Sequence, residues 1–467
     1  MNAGLPTDGT IVALASPPGR GGVAVIRASG AEAFVIAEHI VGALPEPRQV
    51  ALRRFRDQAG EIIDSGLVVA FRGPRSFTGE DVVEFHAHGG MIVTDLLLQR
   101  CLQLGARLAR PGEFSQRAFL NDRLDLAQAE AIADLIDSGS TQAARAAVRS
   151  LQGEFSARVH KLVQGLTELR VYVEAAIDFP EEEVDFLADR AIDERLQDLR
   201  RGFDDLSVRA GQGAILREGM TVVLTGRPNA GKSSLMNRLT GQDTAIVTAQ
   251  PGTTRDVLRE QISIDGMPLH VVDTAGLRTA GDSAEIEGIR RARSAMEQAD
   301  QVLLVADAGD GSGENASGPD ATGEPPEALL QDLPDGLPDG VALTIVRNKI
   351  DLSGHSPGLE TQGGVTVVNV SALTGAGIKS LRDHLKHLMG YQAAGEGAFS
   401  ARRRHLDALA GARAHLEEAI HQLRTYRAGE LVAEELRLAQ DQLGLITGAV
   451  SSDDLLGQIF SSFCIGK

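Results

Sequence analysis

The 467-residue chain has no tryptophan, three tyrosines and two cysteines. Two cysteines, Cys101 and Cys464, cannot build a disulfide framework. Aromatic residues make up only 4% of the chain, which leaves few platforms on which nucleic-acid bases could stack. Basic residues are also short: 46 Lys and Arg against 64 Asp and Glu give a formal net charge of −18. Broad phosphate-backbone binding needs clustered cations, so a nucleic-acid substrate would bind at a local patch or through a partner. No apolar run approaches the roughly 18 residues of a membrane span. The first residues lack the basic and apolar regions of a secretory leader. The expectation is a cytoplasmic protein with no membrane partner and, at about 150 residues per domain, roughly three domains.

Against these absences stands Gly226-Arg227-Pro228-Asn229-Ala230-Gly231-Lys232-Ser233. It matches G-x-x-x-x-G-K-[ST] at every fixed position, between a strand-like run (221–224) and a helix-like run (234–239). Backbone N–H groups of such a loop turn inward around phosphate oxygens at the positive end of a helix. Lys232 is expected on the β- and γ-phosphates and the Ser233 hydroxyl on Mg²⁺. Ala230, Gly231 and Ser234 complete the cradle.

The motifs that follow select the nucleotide. Asp273-Thr274-Ala275-Gly276 ends an apolar run; its carboxylate suits the Mg²⁺ shell and the Gly276 N–H suits the γ-phosphate. Thr254, within Gly252-Thr253-Thr254-Arg255-Asp256, is placed to complete the metal site when a γ-phosphate is present. Asn348-Lys349-Ile350-Asp351 reads as N-K-x-D, in which Asp351 accepts from guanine N1–H and the 2-amino group; adenine offers no such pair. Ser371-Ala372 matches the last base-contacting loop. Four motifs in order, each after a strand-like run, make residues 218–390 a P-loop GTPase domain. Leu277 stands where Ras-like enzymes carry a water-orienting Gln, so another group must act. Glu285 and Glu287 follow, and either could serve, or both could simply open a helix. On residue type alone, the Asn229 side chain could ligate a monovalent cation beside the phosphates.

Residues 1–121 read as α/β, with strand-like runs at 10–14, 23–26, 66–71 and 81–85 and a helical run at 92–104. From 122 to 217 the pattern is helical, and it returns over 391–467. The simplest reading is one discontinuous helical domain with the GTPase inserted in it, since domains tolerate insertion where their termini lie close; two independent helical domains are the alternative. The Gly/Pro/Asp-rich stretch 309–340 reads as a solvated loop. His86 and His88 share one face of a strand end, with no third metal ligand in view.

Residues near both ends are the most specific. They include Pro17-Pro18-Gly19-Arg20-Gly21-Gly22, Phe77-Thr78-Gly79-Glu80, His86-Ala87-His88-Gly89-Gly90, Arg110-Pro111-Gly112-Glu113-Phe114 and the final Cys464-Ile465-Gly466-Lys467. With the GTPase motifs they make essentially the whole chain resemble the MnmE (TrmE) family of tRNA modification GTPases. That resemblance implies an N-terminal α/β folate-binding-like domain that forms a homodimer, a discontinuous helical domain, and an inserted GTPase with a mainly parallel sheet. It implies a tRNA substrate whose wobble uridine (U34) is modified at C5 with an aminomethyl or carboxymethylaminomethyl group. The work is shared with an FAD-dependent, MnmG-type partner. The implied cofactors are GTP, Mg²⁺, K⁺ and 5-formyl-tetrahydrofolate or a related tetrahydrofolate. By matching motifs, Arg27, Glu84, Arg123 and Lys467 fall at folate positions, and Asn229, Thr248, Gln250 and Thr253 at a K⁺ loop. Glu285 falls at the water-orienting position, and Cys464 matches a family cysteine. A ribosome-assembly or purely regulatory GTPase would share the nucleotide motifs but would not need Arg27, Glu84 or Lys467.

Overall fold

A computed structural model describes residues 9–178, 190–240, 259–273, 290, 293–309, 325–333, 336–338, 341–391, 397–450, 453–464 and 466. The chain divides into two compact units, and each draws on separated stretches of sequence. The first takes Met1–Ala133, Ser150–Asp204 and Asp407–Lys467; the second takes Asp134–Arg149 and Asp205–Leu406.

In the first unit, β1 (Ile11–Leu14), β2 (Gly21–Ser29), β3 (Val50–Arg56), β4 (Ile62–Phe71), β5 (Val82–Gly89) and β6 (Arg107–Leu108) form one sheet in the order β3-β4-β5-β2-β1-β6. All its pairings are antiparallel except β1 with β6. Side chains alternate across a strand, so Val83, Phe85 and Ala87 of β5 enter a core covered by α1 (Ala33–Val41) and α2 (Met91–Gln103). Glu84, His86 and His88 take the opposite face of β5, and Arg27 of β2 is in register with Glu84. The four strand-like runs of the sequence appear as β1, β2, β4 and β5, the last three with longer bounds and β1 one residue shorter. β3 gives no such signal, because Phe55 is its only buried residue.

Helices α3 (Glu113–Leu120), α4 (Leu126–Ile136) and α6 (Glu154–Asp178) follow, and the later helices Gly429–Thr447 and Asp453–Ser461 return to the same unit. Leu126 and Ala129 of α4 are buried with Leu456, Ile459, Phe460 and Phe463. Gln440 donates to Thr167 Oγ1 (3.0 Å) and accepts from Arg170 Nη1 (2.9 Å), which joins α6 to Gly429–Thr447. Stretches 150–204 and 407–467 of the helical pattern thus share this unit, whereas 134–149, 205–217 and 391–406 belong to the other, so the expected helical domain is divided between the two.

In the second unit, β7 (Met220–Thr225), β8 (Arg259–Ile264), β9 (Met267–Asp273), β10 (Gln301–Asp307), β11 (Ala342–Asn348), β12 (Gly358–Gln362) and β13 (Val365–Asn369) lie in the order β12-β13-β11-β10-β7-β9-β8. The five central strands are parallel; β12 and β8 close the edges antiparallel. Parallel strands covered on both faces read as near-continuous apolar runs, and β10 is such a run, with six of its seven residues buried. Part of α5 (Thr141–Leu151) belongs to this unit: Ala143 and Ala146 are buried in one cluster with Ile264, Met267, Leu216 and Ala398. The expected solvated loop over 309–340 fails for its described middle. Pro326–Leu329 forms a helical turn, and Leu329 and Leu333 are buried against Val302 and Ile345, because two leucines at this spacing reach the same sheet face.

Candidate functional site

Two groups of residues carry chemistry. The first is at the carboxyl end of the parallel strands, where open α/β sheets hold ligands. β7 runs into the phosphate loop and then into α8 (Lys232–Thr240). Gly226 has φ +133°, and a Cβ there would strike the Val305 carbonyl of β10, so only glycine lets the loop pass so close. Gly231 has φ +92°, and its missing side chain leaves room for the Asn348 amide. Lys232 is 7% exposed, and its Nζ donates to the carbonyls of Gly226 and Arg227 at 2.8 Å each, so the ammonium sits inside the loop where phosphate oxygens would meet it. Ser233 and Ser234 are exposed on the first turn of α8, and Asn229 is exposed with φ +65°.

Asn348 ties the base loops to the phosphate loop. Its Nδ2 donates to Ala230 O and its Oδ1 accepts from Ala372 N, both at 3.0 Å. Lys349 Nζ meets Asp307 Oδ2 at 2.6 Å. Partial burial would raise the Asp307 carboxyl, but Lys349 and the Gly309 N–H outweigh it and hold the group below the usual range. Ser371 Oγ donates to Asp351 Oδ1, which steadies that carboxylate. The resulting cleft of about 510 Å³ is lined by Gly231, Ser234, Asn348, Lys349, Asp351 and Ala372. That volume is in the range of small-molecule sites. The donors and acceptors fit a guanine nucleotide: a lysine for phosphates, an exposed serine hydroxyl for a divalent cation, and a fixed carboxylate for the base. Asp273 ends β9, but its side chain lies outside the described residues, as do Thr248, Gln250, Thr253, Thr254, Thr274, Ala275, Gly276 and Glu285.

The second group is on the outer face of the antiparallel sheet. Arg27 Nε and Nη2 contact Glu84 Oε1 at 2.9 and 2.8 Å. The Arg27 guanidinium lies 5.4 Å from the Phe77 ring centre and 5.7 Å from that of Phe114. His86 Nε2 is 3.3 Å from Glu84 Oε2, and His88 Nδ1 is 2.8 Å from Asp64 Oδ1. Burial would raise the Asp64 carboxyl, but hydrogen bonds from His88 and Ser65 lower it overall. The residues present suit a ligand with both a carboxylate tail and N–H donors. Arg123 is exposed just before α4, and Asn121, two residues earlier, donates to Thr78 O at 2.7 Å. The C-terminal segment returns to the same unit. Gly112 N donates to Cys464 O (3.4 Å), and a Cβ on Gly466 would strike the Leu14 carbonyl at the end of β1. Cys464 is exposed, and Lys467 lies outside the described residues.

Sequence reasoning missed three things here: the His86 contact, the aromatic pair flanking Arg27, and a buried ion network behind them. In that network Glu113, 1% exposed, takes Arg107 at 2.8 and 2.5 Å and Arg117 at 3.1 Å; Arg117 in turn takes both oxygens of Glu80. The quoted motifs Phe77-Thr78-Gly79-Glu80 and Arg110-Pro111-Gly112-Glu113-Phe114 hold both rings and the two carboxylates but not Arg107 or Arg117, so part of the signal was present without its meaning.

Among the described residues no helix is long and apolar enough to cross a membrane. Residues 126–464 match the family model described as MnmE helical domain, and residues 10–123 match that of the GTP-binding protein TrmE N-terminus. The tRNA modification GTPase MnmE of Stutzerimonas stutzeri is 58% identical over 464 residues, covering 99% of this chain and 100% of that protein. The protein of the same name from Pseudomonas putida is 58% identical over 460 residues, covering 98% and 99%. That of Erwinia tasmaniensis is 56% identical over 459 residues, covering 98% and 99%. With both ends, the helices between them and the nucleotide cleft accounted for, the chain belongs to the MnmE family of tRNA modification GTPases.

Proposed function

We propose that this chain hydrolyses GTP in the modification of tRNA. With an FAD-dependent, MnmG-type partner it installs an aminomethyl or carboxymethylaminomethyl group at C5 of the wobble uridine. The observation that carries the reading is full-length identity of 58% to an MnmE protein, together with a cleft whose donors and acceptors fit a guanine nucleotide. In it Asp351 selects the base, Lys232 offsets the β- and γ-phosphate charge, and backbone N–H groups of 229–234 cradle the phosphates. Ser233 and Thr254 would hold Mg²⁺, and Asn229, Thr248, Gln250 and Thr253 would hold K⁺. When bound, these ions neutralise charge that develops on the transferring phosphoryl group. Leu277 cannot orient water, and Glu285 takes that role.

On the outer sheet face, Arg27, Glu84, Arg123 and Lys467 bind a tetrahydrofolate that supplies a one-carbon unit. Val50, Leu52 and Leu67 are 60%, 66% and 43% exposed on that face, which supports its burial against a second copy of the chain. A net charge of −18 supports tRNA contact through a local patch or the partner rather than across the surface. A tRNA substrate in turn supports a cytoplasmic location. We assign 1–121 to the folate and dimer domain, 122–217 with 391–467 to the helical domain, and 218–390 to the GTPase.

The test is mass spectrometry of wobble nucleosides in cells lacking this chain, where the modified uridine should vanish and return with the gene. Unchanged nucleosides would overturn the reading. GTP turnover should be much faster in K⁺ than in Na⁺, and equal rates would remove the K⁺ assignment. Loss of 5-formyl-tetrahydrofolate binding in Arg27→Ala is expected, and unchanged affinity would move the folate site elsewhere.

A further inference from the structure

The nucleotide motifs and the four folate positions leave His86 without a role, yet it touches the carboxylate of Glu84. Glu84 and His86 are two apart on β5 and so project from one face. Arg27 is opposite Glu84 on β2, and Val25 is opposite His86. The three polar side chains form a row in which Glu84 is central and only 17% exposed.

An ionised carboxylate has about four lone-pair sites. Arg27 reaches Oε1 through both Nε and Nη2, at 2.9 and 2.8 Å, and so saturates that oxygen. His86 Nε2 reaches Oε2 at 3.3 Å. A bond there requires the imidazole proton on Nε2, because a carboxylate can only accept. One lone pair on Oε2 is then left for a ligand N–H, and its direction follows from where His86 and Arg27 hold the carboxylate. Arg27 is itself fixed between the rings of Phe77 and Phe114.

We propose that His86 is a positioning residue of the tetrahydrofolate site: it pins the second oxygen of Glu84, so that the remaining lone pair meets an N–H of the pterin ring. Arg27 holds one side of the carboxylate and His86 the other. Without His86 the carboxylate pivots about its Arg27 contact and the ligand must order it on binding. A hydrogen bond to a charged group is lost, which corresponds to roughly a tenfold loss of affinity.

The inference rests on the folate reading, and calorimetric titration of the full chain with 5-formyl-tetrahydrofolate separates the two. His86→Ala should weaken binding about tenfold, and His86→Gln, which restores an N–H donor of similar reach, should recover most of it. In a Glu84→Gln background, His86→Ala should have no further effect. Full affinity in His86→Ala, no rescue by glutamine, or an equal loss in the Glu84→Gln background would each overturn the inference. Full affinity in Arg27→Ala would instead overturn the folate reading itself. If His86→Ala does not fold, His86→Gln and the Glu84→Gln, His86→Gln pair carry the test: His86→Gln must bind within about threefold of the parent, and a larger loss overturns it.

Discussion

In the proposed reading Asp351 distinguishes bases because a carboxylate can accept but not donate, and Ser371 holds one of its oxygens in place. Asp351→Asn should therefore weaken GTP by about a hundredfold or more, measured by competition with a labelled nucleotide, with no gain for ATP. The two thiols differ in the same local way. Burial pushes the Cys101 thiol up to about 12, with Arg100 pulling weakly the other way, whereas Cys464 is exposed. A thiol-specific reagent at pH 7.5 should modify Cys464 in the native chain and reach Cys101 only after denaturation; two rapid equivalents would contradict the structure. The residues that line the cleft were legible in the sequence because they follow strands of the parallel sheet closely, so order along the chain stands in for position in space. His86 was not. Alternation along β5 puts it on the face of Glu84, but that Arg27 holds the other oxygen of Glu84 is set by a pairing between strands far apart in sequence.

Between elements, close approach is set by small residues and by buried charge. Gly213 of α7 (Arg190–Glu218) has no room for a Cβ, which would overlap the Phe399 carbonyl. Gly213→Ala should force α7 and the 397–400 stretch apart and destabilise the chain by roughly 1–3 kcal/mol or more, visible as a lower denaturant midpoint. Glycine in a helix is weakly informative by itself, and nothing in the sequence names Phe399 as its partner. α3 opens on Glu113. Burial alone would raise its carboxyl, but Arg107, the Arg110 N–H and Arg117 hold it down to about 2 from an ordinary 4.5. A depressed folded-state value stabilises the fold above about pH 4.5, and that contribution is lost as pH falls toward 2. Glu113→Gln leaves Arg107 and Arg117 short of a buried charge, so it should be clearly less stable at pH 7. The gap from the parent should narrow by pH 3 in parallel urea titrations; a gap that widens in acid would refute the assignment.

At the scale of the whole molecule, composition and motif order carried the class: three kinds of domain, a central nucleotide engine, and helices on either side of it. Helical periodicity shows that α5 has a buried face but not what buries it. The structure answers that its alanines are packed against the β8–β9 hairpin, and a Cβ on Gly266 at the hairpin tip would strike the Gln142 side chain of α5. A truncated gene product cut at 218 and 390 would thus lose Ala143, Ala146, Leu216 and Ala398, and would expose Ile264 and Met267 where they had been covered. Scanning calorimetry should find its melting temperature below that of the same module in the intact polypeptide. Anyone trimming this engine for crystallisation would do better to keep its upstream helix, because the β8–β9 hairpin leans on it.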